Sequence, residues 1–558
     1  INLNDYKRPS AYCENRSEYI KLLKRMVALN MVTFTDNPIA VNGLFGVPKD
    51  GDQIRLIIDA TPANLLMIPP PIVQLPNPSH LANIQSSNPF YVAKLDLSNY
   101  YHQLRLPEPL QPFFCLPAIS ETEYLLIISI LSISDQQHGR RYPMLRTLPM
   151  GWTHSVYIAQ CVHEHILYTV FIVLSPFDNI LVSSVLFMNL HLIYIDDLML
   201  MSYDRTELQL LVERVLAAYA AVGIKVNVKK SVTPTCDDVK VIGVQMNGSK
   251  QRIFIDGADI VSLIGRTQFI LNVGQCTGHC MSVLIGHWCW YLLLNRPLLS
   301  ILNECYRFIQ VFGTNVDNKY IWSSMKNELL MVCCLSPLLQ LDLSTEVSQR
   351  IIASDASMSG YGVVTNRVNS GTIDIEHCLH QLALHVGLNT FECKSSSYYA
   401  INSVSSIIES VTVPFASDQP VILLTNTNRK RFEQEIVHLV TTIMDNVDWV
   451  VIMSGQWRYN NESTHINHLE LSAVLLGIRW LCSLICTRGR GRRVVMLVDN
   501  AVTKYVVTKG RCSSIPLLKL LRRICTICVS MDVRLKLVYI PSAMNPSDAA
   551  SRTGIQSL

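Results

Sequence analysis

Between Tyr91 and Asp96 apolar and polar positions alternate among strand-forming residues, which predicts a strand ending near Asp96. The stretch His191–Met201 is apolar except for Asp196-Asp197, the pattern of two short strands with adjacent acids at the turn. Ile351–Val364 reads as a strand, a glycine-containing turn and a second strand. From His465 to Trp480 the period changes: Leu471, Leu475, Ile478 and Cys482 recur at helical spacing and form one stripe, with Glu470 near the N-terminal end. Arg493–Asp499 returns to a strand, with Val495, Leu497 and Asp499 on one face. A last helix is predicted at Asn545-Pro546, the Asn as cap and the Pro in first position.

Two apolar runs, Ile166–Phe177 and Ile180–Ile195, are separated by Asp178. Neither reaches the ~18–20 residues that span a bilayer, so they predict buried elements and no membrane partner. The 558 residues, 49% apolar and 16% charged, exclude a disordered chain, and at roughly 150 residues per domain they suggest three or four folding units. Ser336-Pro337 and the polar stretch Leu343–Gln349 separate two differently built halves. From residue 345 onward 21 Lys+Arg stand against 16 Asp+Glu, and before it 26 against 27, so the net charge of +4 belongs to the second half. Arg488, Arg490, Arg492 and Arg493, interleaved with glycine, read equally as a solvated turn or a phosphate-gripping loop. The 17 cysteines are irregularly spaced; Cys525-x-x-Cys528 and the Cys276–Cys280 pair around His279 lack further ligands at zinc spacing, and buried reduced thiols are expected. No signal peptide follows Ile1, which suggests a polyprotein fragment in the cytoplasm or nucleus.

Adjacent aspartates in so apolar a context repel, and burying them unpaired would cost several kcal/mol. A divalent cation removes the difficulty: hard oxygen ligands suit Mg²⁺, and two ions ~4 Å apart can clamp the attacking and leaving oxygens of phosphoryl transfer. An Asp-Asp hairpin on an ordinary surface is the plain alternative for this pair taken alone.

The surrounding motifs decide between them. Tyr194-Ile-Asp196-Asp197 resembles the Tyr-x-Asp-Asp box of reverse transcriptases. Lys94-Leu-Asp96-Leu-Ser-Asn-Tyr-Tyr101-His-Gln is similar to that family's first catalytic motif, and Leu148-Pro-Met-Gly151 to its Leu-Pro-x-Gly motif, continuing to Gln160. Val47-Pro-Lys49 with Arg55-Leu-Ile-Ile-Asp59 and Asn64 matches the fingers, and Gly223–Lys230 with Val241-Ile-Gly243 the late palm and primer-gripping turn. Five collinear motifs over about 200 residues make a strong signal where each singly is weak.

The resemblance implies Asp96, Asp196 and Asp197 as ligands of two metals, and Lys49 and Arg55 as neutralisers of an incoming triphosphate. It implies Tyr101 as the aromatic that excludes a ribose 2′-hydroxyl, with core packing as its alternative. Gly151, Gln160 and Lys230 are placed at the nucleotide and template pocket. Two features depart from the pattern. Asp59 is followed by Ala60-Thr61, with no arginine, and apolar runs at Tyr124–Ser134 and Thr169–Leu190 stand where shorter segments are usual.

In the second half Asp355, Glu470, Asp499 and Asp548 fall on a strand, a helix, a strand and a helix start. This resembles the four-carboxylate, two-Mg²⁺ ribonuclease H domain, and Tyr539–Arg552, with its Asn545-Pro-Ser-Asp548, is similar to retroelement members. Asp355 and Glu470 are about 115 residues apart, longer than usual, so residues 375–448 are read as an insertion and Glu376 and Glu392 as rivals for the second carboxylate.

The expected fold is α+β: a right-hand polymerase (fingers and palm 1–250, thumb or connection 251–344), then an α/β ribonuclease H-like domain with a mixed sheet (345–558). The expected function is that of a retrotransposon RNA-directed DNA polymerase, of the long-terminal-repeat or tyrosine-recombinase type, with hydrolysis of the RNA strand of RNA–DNA hybrids. Its partners would be RNA template, DNA primer, hybrid and deoxynucleoside triphosphates, and its cofactor two Mg²⁺ per site, with Mn²⁺ as substitute. The rivals are a non-catalytic nucleic-acid-binding descendant and a polymerase whose nuclease is structural only.

Overall fold

The computed structural model describes residues 15–49, 53–128, 141–174, 189–313, 316–367, 373–384, 426–457, 465–485 and 491–553. After a helix at Arg16–Ala28 and a strand at Val32–Thr35 comes a hairpin of β1 (Gly43–Pro48) and β2 (Ile54–Asp59). An antiparallel sheet follows, made of β3 (Tyr91–Asp96), β4 (Asn189–Tyr194), β5 (Asp197–Ser202) and β6 (Val232–Thr235) in the order β4-β5-β3-β6. Helices α1 (Tyr100–Gln103), α2 (Ser155–His165) and α3 (Arg205–Ala221) accompany it. Asp204 starts α3 by accepting from the amides of Thr206 and Glu207.

Both faces of this sheet are covered. Ala93, Leu95, Ile193, Leu198 and Leu200 join one core with residues of α2 and α3, while Val92, Leu190, Leu192, Met199 and Met201 join a second. That is why β4 and β5 read as unbroken apolar runs and not as alternation. Ile166–Val170 continues α2 as a π-helical turn into the first core. Residues 175–188, the rest of that run, lie outside the described residues, as do 129–140. Glu121–Ile128 is helical. No helix among the described residues is long and apolar enough to cross a membrane.

The second core is closed by a further sheet, β7 (Asp238–Val241), β8 (Val244–Asn247), β9 (Arg252–Phe254) and β10 (Gln340–Asp342), in the order β10-β9-β8-β7. Between β9 and β10 run α4 (Gly257–Val273), α5 (Gly278–Leu292), α6 (Asn303–Phe312) and α7 (Ser323–Leu335). The β7–β8 turn takes positive φ at Ile242 (40°) and Gly243 (85°), as a tight hairpin demands, and Trp290 Nε1 donates to the Ile242 carbonyl at 2.9 Å.

The second half is a five-stranded mixed sheet. β11 (Ile352–Ala356), β12 (Gly360–Asn366) and β13 (Trp449–Gln456) are antiparallel neighbours, and β14 (Arg492–Val498) and β15 (Val533–Tyr539) continue parallel to β11, giving the order β13-β12-β11-β14-β15. Helices α8 (Ile373–Leu384) and α9 (Asn426–Asn446) lie between β12 and β13, within the stretch read as an insertion. α10 (Ile466–Ile485) buries Leu471, Leu475, Ile478 and Cys482 against the sheet, the stripe that the periodicity predicts. α11 (Ala501–Lys509), α12 (Ile515–Ser530) and α13 (Asp548–Thr553) complete the unit. α13 begins at Asp548, not at Pro546; Asn545 still caps the turn, accepting from the Ser547 amide at 3.1 Å.

Arginines of the second half reach into the first. Arg493, 3% exposed, donates to the carbonyls of Thr345 (3.2 Å), Asn83 (3.1 Å) and Ile84 (2.7 Å). Arg534 donates to Ala82 and Asp342, and Arg522 to Ser300, Ile301 and the Glu328 carboxylate. At Gly510 (φ 65°) an added Cβ would stand 2.2 Å from the Arg296 carbonyl, so the two backbones touch. Arg492 pairs with Glu346. The phosphate-loop reading therefore does not hold for Arg493, because buried protein acceptors already take its donors; Arg488 and Arg490 lie outside the described residues.

Candidate functional site

The β4–β5 hairpin has a two-residue turn, Ile195-Asp196, with Tyr194 opposite Asp197. β3 pairs with β5 so that Asp96 stands directly opposite Asp197, which puts both side chains on one face. The end of β3 is fixed by its neighbours: the Asn227 amide donates to the Asp96 carbonyl at 2.7 Å, and the Leu97 amide to the Asp196 carbonyl at 2.9 Å. Burial and the Asp197 charge raise the pKa of Asp196; burial also raises that of Asp197, while Lys94 opposes it. Lys94 Nζ lies 3.1 Å from Asp197 Oδ1, a cation drawn to like-charged acids. The three aspartates gather at one sheet end. They do not form the one group of three metal-ligand atoms, among the described residues, that lies within 4.8 Å.

Of the other residues picked from the sequence, Tyr101 and Arg55 approach this centre. The Tyr101 hydroxyl is pushed up to about 12 by burial, then by Asp196 and Tyr194, with the Arg55 charge acting in the opposite sense. Lys49 sits at the tip of the β1–β2 hairpin, its amide bonded to the Gln53 carbonyl. Lys230 is exposed and near enough to counter the charge effect on Asp197. Gln160 is placed differently from the expected pocket. It is 1% exposed, accepts the Ile195 amide at 2.7 Å and donates to the Ile193 carbonyl at 3.1 Å, so its amide holds the hairpin.

Gly151 (φ 127°) packs its backbone against β2, and a Cβ there would lie 1.9 Å from the Ile58 carbonyl oxygen. The Met150 carbonyl accepts the Ile58 amide at 2.8 Å, and Asn64 bridges the Gly151 carbonyl and the Thr153 amide. Gly151→Ala should therefore part the Leu148–Gly151 loop from β2. The expected outcome is a loss of thermal stability of about 1–3 kcal/mol with a sharp fall in any nucleotide-dependent activity. A Tm and activity equal to the parent's would show that the junction tolerates the methyl.

In the second half the convergent group is Asp355, Glu470 and Asp499. Asp355 comes from β11, Glu470 from the first turns of α10, and Asp499 directly follows β14. Parallel pairing of β11 with β14 brings the two aspartates together, and the buried stripe of α10 turns Glu470 onto them. Glu470 is 6% exposed; burial, then Asp355 and Asp499, pushes its pKa up to about 9. Burial chiefly raises Asp355 as well, with the Ser551 hydroxyl bonded to it in opposition. Asp548 lies close enough to raise Asp355 further, but its carboxylate is held by Arg552 at 2.8 Å and is not part of the convergent group. Glu376 bonds to Gln349 at 2.6 Å on α8 and is likewise not in that group. Glu392 lies outside the described residues. Cys525 and Cys528 are buried thiols and Cys280 is exposed, none of them in a disulfide.

Residues 47–246 match the reverse transcriptase (RNA-dependent DNA polymerase) family model. The matched reverse transcriptase segment contains Asp96, the Asp196-Asp197 hairpin, Tyr101, Gly151, Gln160 and Lys230. Among solved structures, a foamy viral protease–reverse transcriptase in complex with dsDNA is 12% identical, with a TM-score of 0.44 over 96% of this chain and 84% of that one. The foamy viral protease–reverse transcriptase in complex with an RNA/DNA hybrid is 11% identical, with a TM-score of 0.44 over 98% and 78%. No curated protein matches the chain.

Sequence reasoning missed His163, which is fully buried on α2 and whose Nδ1 lies 2.8 Å from the Ile195 carbonyl oxygen. The available signal was its place three residues after Gln160, on the same helix face of the reverse transcriptase segment.

Proposed function

We propose that this chain is an RNA-directed DNA polymerase of a retroelement whose C-terminal unit hydrolyses the RNA strand of RNA–DNA hybrids. The polymerase reading is carried by Asp96 standing opposite Asp197 inside the segment that matches the reverse transcriptase family. The nuclease reading is supported by Asp355, Glu470 and Asp499 converging on a mixed sheet.

Buried carboxylates whose ionisation is opposed first by burial and then by one another's charge fit a hard divalent cation, and Mg²⁺ is the ion proposed. Asp355, Glu470 and Asp499 would hold it in one centre, with Asp548 after release from Arg552, and Asp96, Asp196 and Asp197 in the other. When bound, such an ion supplies charge neutralisation at phosphate oxygens. The protein's own part is to place the acids, to present Arg55 and Lys49 to a triphosphate, and to close the sugar side with Tyr101. On the face of α10 turned away from Glu470, His468 and Ser472 line a separate cavity of about 500 Å³ with Leu475, Ile515, Lys519 and Arg523.

Primer extension on a body-labelled RNA template with Mg²⁺ tests both activities together. An intact template under extending primers would leave the C-terminal unit structural, and the absence of both extension and cleavage would refute the proposal. Within that assay, Tyr101→Ala should admit ribonucleotides while DNA synthesis continues; unchanged discrimination would return Tyr101 to packing alone.

Glu470 gives a pH signature. Its folded pKa lies above that of an unfolded carboxyl, so the native metal-free protein binds the extra proton, and stability should fall as pH rises from about 4.5 to about 9. Divalent cation should remove that slope by taking the carboxylate form. Thermal midpoints with chelator and with Mg²⁺ across this range check it, and a metal-free midpoint that does not fall would contradict it.

A further inference from the structure

The turn that carries the two acids is strained and is held from outside. Ile195 has φ 56°, a left-handed conformation that a β-branched residue rarely takes. In a two-residue hairpin turn the polar groups of the first central residue have no partner in the ladder. Here both are taken by α2: Gln160 Oε1 accepts the amide at 2.7 Å, and His163 Nδ1 lies 2.8 Å from the carbonyl oxygen.

We propose that His163, backed by Tyr219, is a positioning residue for the polymerase reaction, fixing the turn from which Asp196 and Asp197 project; this rests on the polymerase reading above. A carbonyl oxygen only accepts, so Nδ1 carries the proton. Nε2 is then the acceptor, and the Tyr219 hydroxyl 2.5 Å away is its donor. Donation thus runs one way, from Tyr219 on α3 through the imidazole on α2 to the Ile195 carbonyl. Every ring in it is buried: His163 and Tyr219 are 0% exposed, and Tyr100, next to Tyr101, packs on His163 at 5.8 Å between centroids. An apolar side chain would fill the space without the desolvation cost of an imidazole. What the imidazole adds is the hydrogen bond that keeps Ile195 left-handed, and with it the direction of the next two carboxylates. A shift of about 1 Å at such a site can cost of order a hundredfold in rate.

The test compares His163→Leu, which removes the donor, with His163→Asn, whose amide nitrogen takes the place of Nδ1, and with Tyr219→Phe, which deletes only the hydroxyl. In primer extension His163→Leu should lower kcat about tenfold or more, leave KM for the nucleotide nearly unchanged and raise the Mg²⁺ needed for half-maximal rate. His163→Asn should recover most of that loss, and Tyr219→Phe should show a smaller loss of the same kind. Hydrogen exchange of a peptide covering residues 190–200 should be faster in His163→Leu and Tyr219→Phe than in the parent, and near the parent's in His163→Asn. Parental kcat and Mg²⁺ dependence in His163→Leu would overturn the proposal, as would unchanged exchange or failure of Asn to rescue. A parent that extends no primer would instead refute the polymerase reading, and the exchange comparison would still decide whether His163 holds the turn. If His163→Leu does not fold, Tyr219→Phe against the parent decides the same question.

Discussion

Replacing Asp197 with Asn is expected to abolish primer extension on an RNA template and to leave cleavage of an RNA–DNA hybrid at the parental rate. Replacing Asp499 with Asn should do the reverse. Each change removes one carboxylate charge at nearly constant volume, from proposed centres built on separate sheets. Losing charge stabilisation worth several kcal/mol in the transition state corresponds to about a thousandfold or more in rate. Asp197 also holds Lys94 at 3.1 Å, but that ammonium acts on Asp196 as well, so its charge stays countered and the fold should persist. The same hybrid-cleavage assay ranks the second carboxylate: Glu470→Gln should be inactive and Glu376→Gln parental. If Asp197→Asn and Asp499→Asn each removed both activities, the two centres would not be independent and the proposed division of labour would fail.

Arg493→Ala is expected to have the largest effect on stability. The guanidinium is almost fully enclosed and serves three carbonyls, of Thr345, Asn83 and Ile84. Its removal leaves buried acceptors without donors, each at a cost of about 1–3 kcal/mol, offset in part because the charge no longer needs desolvation. Burial, with Arg534 beside it, already pushes the Arg493 pKa well down, so the native bonds are what keep the cation inside. A net loss of about 3 kcal/mol is expected, and because the Asn83 and Ile84 carbonyls belong to the first half, the two halves should unfold in separate steps. Calorimetry of the parent and the variant checks this. A single transition at the parental temperature would mean that the apolar contacts around Cys525 and Val529 hold the halves together without the arginine.

Local pattern was enough for three of the elements that carry or flank the acids. The alternation before Asp96, the two apolar strands around Asp196-Asp197 and the helical stripe from Leu471 to Cys482 are encoded by neighbours within a turn or a strand. The structure forms all three. Periodicity reports which face of an element is buried, and that is settled by side chains a few positions apart. It does not report what the buried face meets. Glu470 and Glu376 both lie on helices, and only the parallel pairing of β11 with β14, residues more than a hundred positions apart, brings Asp355 and Asp499 to the first of them. Arg493 looked like one more cation in a glycine-rich basic stretch, yet it became a buried tie because the start of its interior strand meets carbonyls from residues 83 and 84. Gln160 looked like a pocket residue because its motif continues from Leu148-Pro-Met-Gly151. Its amide instead holds Ile195, whose left-handed φ no propensity would assign to isoleucine. Such strain is stable only where side chains distant in sequence determine it from several sides, and that information exists only in the folded chain.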